Sequence, residues 1–128
     1  MISVWIEENT EQIIERVNEA KSNRRGKLFA AVGDINHNVE IAIRKLAVSN
    51  AVAEKAVAKV DRMRIEFLED IFKDELGIDA KRASLLAEIQ YCSFLGMQIL
   101  RPEKKRRQQM GEMIDRMLGA VSEDLDSN

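Results

Sequence analysis

The sequence predicts an all-α protein, and three observations carry that expectation. Hydrophobic residues make up 45% and charged residues 33% of the 128, the balance of a globular chain rather than a disordered one. Six glycines and one proline are too few turn formers for an all-β sandwich. Apolar residues recur at three- and four-residue spacing in six segments, with no useful length of strand-like alternation between them.

The first segment, 2–21, places Ile2, Ile6, Ile13, Val17 and Ala20 on one face and turns Glu7, Glu8, Glu11 and Glu15 away. Ser22 and Asn23 supply a stop and a cap. The second, 24–36, carries the stripe Leu28, Val32, Ile35. The polar step Asn36, His37, Asn38 leads into a third, 39–48. There Asn38 is the expected N-cap, and Glu40 sits in the first turn, where the helix dipole favours an acid. The longest segment, 51–76, opens after Ser49 and Asn50 and spans about 39 Å at 1.5 Å per residue. Val52, Ala56, Val60, Met63, Phe67 and Ile71 form its face, and Gly77 its stop. Asp79 caps a fifth helix, 80–100, which is apolar almost all round. A helix with no polar face must be covered on every side, which points to a second subunit. Pro102 takes the tolerated first-turn position of a sixth helix ending near 121. Met110, Met113, Ile114, Met117, Leu118 and Val121 give that helix a narrow apolar seam. The expected organisation is one domain, 1–121, with an acidic flexible tail, 122–128.

The residues available limit the chemistry. Nucleophile elbow, phosphate loop and dinucleotide fingerprint are all missing from the sequence. One cysteine and one histidine make neither an internal disulfide nor a structural zinc site, and His37 with Glu40 is too little for a di-iron bundle. The expectation is therefore no enzyme, no metal and no cofactor. A net charge of −2 leans against direct nucleic-acid contact. With no signal peptide and no membrane span, the expected location is the cytoplasm, with no membrane partner. The basic cluster Arg101, Lys104, Lys105, Arg106 and Arg107 reads as a solvated surface that could meet phosphate, but no aromatic interleaves it for stacking. Cys92 reads as a buried thiol. Met63 and Met97, set among Phe67 and Phe94, read either as ordinary core or as the wall of an apolar cavity.

Three segments carry a resemblance: EIAIRKLA at 40–47, VDRMRIEFL at 60–68, and RASLL at 82–86 continuing through Tyr91 to Gly96. In order and spacing they resemble the C-terminal regulatory domains of TetR-family transcriptional repressors, over roughly 4–121. In that family an E-x-A-I-R-x-W-A segment precedes V-D-x-x-R-x-x-x-L, a Gly-terminated turn and an R-A-x-x-x-Y/A…G helix. Leu46 stands where the pattern usually has Trp, and the family's N-terminal helix-turn-helix has no counterpart here. The resemblance implies a six-helix bundle whose last two long helices form a dimeric four-helix bundle. Leu85, Ile89, Cys92, Gly96, Met110, Met113, Ile114, Met117 and Leu118 would make that interface, and Gly96 and Gly111 would permit close backbone approach. An apolar small-molecule effector would lie against Trp5, Leu28, Val32, Met63, Phe67, Tyr91 and Phe94, with Tyr91 and His37 as polar contacts. Arg44 and Asp61 match the motif's charged positions and imply a structural ion pair. The implied function is effector sensing and dimerisation in a TetR-like regulator that lacks its DNA reader. The alternative is a helical homodimeric adaptor with no small-molecule ligand.

Overall fold

The computed structural model describes residues 2–33 and 35–126, and side chains as far as Val121. Among these residues there are six helices and no strand. The first helix, α1, is continuous through three segments, Ile2–Ile6, a π-helical Glu7–Glu11 and Gln12–Asn18. It is followed by α2 (Arg24–Val32), α3 (His37–Ala47), α4 (Ala51–Leu76), α5 (Ala80–Leu100) and α6 (Lys104–Asp126). The fold divides into two compact units, Met1–Phe67 and Leu68–Asn128, with the boundary inside α4.

In the first unit the π turn explains how α1 packs. Trp5, Asn9, Ile13 and Val17 are all buried, at strict four-residue spacing. In a regular α-helix each such step overshoots a full turn by about 40°, so the stripe would drift off the core. Between Glu7 and Gln12 the turn widens, and the Gln12 N–H donates to the Glu7 carbonyl five residues back. The wider turn absorbs the overshoot and holds the four side chains on one face. Trp5 then joins Ile43, Ala56 and Val60 in the core, flanked by Ile2, Ile6, Val39 and Val57.

The caps set the helix boundaries. Asn23 adopts a left-handed backbone (φ 53°) and its side chain accepts the Gly26 N–H, so a side chain at Gly26 would collide with it. The cap of α3 is Asn36, not Asn38. Its side chain accepts the Val39 N–H at 3.1 Å, while its own N–H donates to the Asn9 side chain on α1 at 3.1 Å. That second bond anchors the cap to a neighbouring helix and selects the first asparagine over the second.

In the second unit Asp79 caps α5, accepting the Arg82 N–H at 2.8 Å. Gly77, at φ +65°, makes the left-handed stop before it. Pro102 does not open α6. It disfavours right-handed helical backbone in the residue before it, and Arg101 takes φ 51° instead. The new helix starts at Lys104, with the Arg107 N–H on the Glu103 carbonyl at 2.9 Å. The tail expected from 122 is helical backbone as far as Asp126, and 127–128 fall outside the described residues.

Candidate functional site

Two features stand out, one in each unit. The first is a charged cluster inside the first unit. Glu40 in α3 is completely buried, and Arg64 in α4 reaches it with both guanidinium nitrogens: Nη2 close on Oε1, and Nη1 3.3 Å from Oε2. The Trp5 indole N–H donates to the same Oε1 at 3.3 Å. Arg64 Nη2 also donates to the Asn9 backbone carbonyl at 3.1 Å, within the π segment. Asn9 is fixed in turn by donating to the Trp5 carbonyl and by accepting from the Asn36 N–H. The cluster therefore ties α1, α3 and α4 together through one carboxylate and one guanidinium. Removing a carboxylate from water costs several kcal/mol, about, unless paired and hydrogen-bonded, and here it has three donors. The Thr10 hydroxyl, also in the π segment, is buried without a partner. Both oxygens of Glu40 are occupied and shielded from solvent, so the arrangement acts as a mechanical clamp.

The second feature is an inverted helix. On α5 the small residues Ala83 and Ala87 are fully buried, whereas Leu85 and Ile89 are 54% and 62% exposed. Leu85, Ile89, Cys92 and Gly96 follow one another at steps of four, three and four, the spacing of a coiled-coil seam. Cys92 is exposed, not buried as its apolar neighbours suggest, and a Cβ at Gly96 would meet nothing. On α6, Met110, Met113 and Met117 make a matching exposed seam, with Ile114 half-buried beside it. Leu118 turns inward and is buried, so its place is the core of the protomer.

The residues expected to line an effector cavity distribute between the units. Trp5, Leu28, Val32, His37, Met63 and Phe67 belong to the first, Tyr91 and Phe94 to the second. Trp5 and Phe67 are buried in packing, while Leu28, Val32, His37 and Met63 are half-buried. Tyr91 and Phe94 stack with ring centroids 5.8 Å apart. A surface cleft of about 340 Å³ in the first unit is lined by Glu8, Gln12, Ile13 and Arg16, none of them among the residues expected to meet an effector. Arg44 and Asp61 form a two-pronged pair, with Nη2–Oδ1 2.5 Å and Nη1–Oδ2 3.2 Å, at side-chain exposures of 24% and 29%.

Sequence reasoning did not assemble this cluster: Asn9 and Thr10 drew no comment, Asn36 was read only as part of a polar step, Arg64 only as a motif position, and Glu40 as a helix-dipole acid, a motif position and the partner of His37 in an H-x-x-E pair. The available signal was the four-residue spacing from Trp5 to Val17, which places Asn9 on the buried stripe. Among the described residues, no group of three His, Cys, Asp or Glu could hold a metal ion, and no helix is long and apolar enough to cross a membrane. Comparison with protein-family models, with characterised proteins and with solved structures returned no match.

Proposed function

We propose that the chain is an effector-sensing and dimerisation domain similar to the C-terminal domains of TetR-family regulators, working through association and shape change. The observation that carries this reading is the inverted packing of α5, with alanines inside and Leu85 and Ile89 outside. A lone protomer has no use for that order. A second copy does, because a two-fold interface presents the same patch from both sides and two helix pairs close into a four-helix bundle. Full burial of a Leu, Ile or Met side chain contributes about 1.5–3 kcal/mol, so covering Leu85, Ile89, Met113 and Met117 supplies a driving force for association. In the first unit, an apolar effector would bias one of two helix arrangements, and the Glu40–Arg64 clamp joins the three helices that such a shift must move. The chain makes no direct contact with nucleic acid in this reading.

Light scattering tests the proposal. The wild-type chain should have the mass of a dimer, and Met113→Asp with Met117→Asp that of a monomer of unchanged helicity. A wild type that stays monomeric at every concentration sinks it.

One observation favours the second reading, a homodimeric adaptor without a small-molecule ligand. The Trp5 indole, a candidate for the cavity wall, already packs against Ile43, Ala56 and Val60 and bonds Glu40. Trp5 is the only tryptophan, so its fluorescence separates the readings. Titration with a panel of apolar compounds shifts the emission of a sensor and leaves that of an adaptor unchanged.

A further inference from the structure

We propose that the connection between α5 and α6 is a docking surface for an anionic lipid bilayer, because it sets exposed aliphatic side chains beside a run of cations. Leu100 is 81% exposed and Ile99 nearly as much, and they are the last two residues of α5. Arg101, Lys104, Lys105, Arg106 and Arg107 follow, all exposed, with Glu103 the one carboxylate among them. The segment 101–107 thus carries a net charge of +4 in a chain of net −2, and an anionic plane would attract this segment toward it.

Neither the cations nor the apolar pair is explained by the fold. Lys104 to Arg107 occupy the first turn of α6, the positive end of its dipole, where acidic side chains stabilise and basic ones do not. No ion pair between any of these four and a described residue relieves them. Ile99 continues the α5 seam by one step, but Leu100 lies off it. The pair ends α5 directly beside the cations, and aliphatic side chains next to a cationic run suit insertion at the headgroup boundary. Nucleic acid would satisfy the cations but offers Leu100 nothing, and no aromatic side chain is interleaved to stack on bases.

The test is sedimentation of the 128-residue chain with vesicles. Vesicles rich in phosphatidylserine should carry the protein down, and vesicles of phosphatidylcholine alone should not. Binding should vanish near 1 M salt, where the screening length is about 3 Å. Neutralising two cations, Lys105→Gln with Arg106→Gln, should weaken binding roughly 25-fold, at about fivefold per cation. Leu100→Ser keeps every charge and should also weaken it, which distinguishes insertion from simple ion exchange. All the substituted side chains are exposed, and circular dichroism verifies that the variants keep their helices. Failure to bind the anionic vesicles overturns the proposal. So does a Leu100→Ser variant that binds as well as wild type, or duplex DNA that competes for the protein more strongly than the vesicles do.

Discussion

The two units use their residues in opposite ways. The first buries a carboxylate, Glu40, pairs it with the part-buried guanidinium of Arg64, and ties the two to Trp5 and Asn9. The second buries alanines, Ala83 and Ala87, and leaves Leu85 and Ile89 in solvent. Burying a charge is costly unless its partners are fixed in place, so the pair ties α1, α3 and α4 together as a set. An exposed aliphatic stripe contributes nothing to the core of its own unit and is available to a partner, as proposed above. The first unit uses its buried polar groups to hold its own helices together, and the second leaves aliphatic side chains in solvent.

The largest expected effect breaks the first half of that contrast. Arg64→Met alone leaves the Glu40 carboxylate buried and uncompensated, and should cost about 3–5 kcal/mol in urea unfolding. Glu40→Leu should cost a similar amount by stranding the guanidinium. Replacing both should recover much of the loss, though not all, because the Trp5 indole N–H and the Asn9 carbonyl each lose a partner. A double variant as unstable as the singles together would show the two residues to be independent, and the clamp would be a misreading.

The second half of the contrast is tested by Leu85→Ala with Ile89→Ala. Both side chains are exposed in the protomer, so a protein that unfolds as a monomer should change by no more than about 0.5 kcal/mol. If a second copy covers them, the loss should exceed about 2 kcal/mol and should grow with protein concentration. Cys92 lies on the same seam and gives an independent readout. Its reaction with a thiol reagent should slow as the concentration is raised through the dimerisation range.

The helices were legible where the sequence carries its own punctuation. Asn50, Gly77 and Asp79 mark the limits of α4 and the start of α5, and those bounds agree with the structure because caps and stops are local. The cap of α3 was misplaced because two asparagines compete, and the winner is decided by Asn9, 27 residues earlier. The clamp was hidden for the same reason: Glu40 and Arg64 are 24 residues apart, and each resembles any charged residue on an amphipathic helix. On α5 the uniform apolarity concealed which face points inward. Only the burial of Ala83 and Ala87 shows that small side chains face the core, and periodicity among apolar residues carries no such distinction.

Asn36→Ala removes the side-chain cap of α3 but keeps the backbone N–H that bonds Asn9, and should cost about 1 kcal/mol in urea unfolding. The smallest effect is expected at Arg44–Asp61, which shares the two-pronged geometry of Glu40–Arg64 but is partly open to solvent. Solvent screens the attraction, and ordering two side chains opposes it, so exposed pairs contribute up to about 1 kcal/mol. A double-mutant cycle with Arg44→Met and Asp61→Leu should therefore return a coupling several-fold below that of the buried pair. If the two couplings are equal, charge and geometry alone set the strength, and burial is not what strengthens the Glu40–Arg64 clamp. If they differ as expected, the complete exclusion of water from Glu40 is the cause, and the two motif pairs have separate jobs: one fixes α3 and α4 at the surface, the other locks α1 onto both.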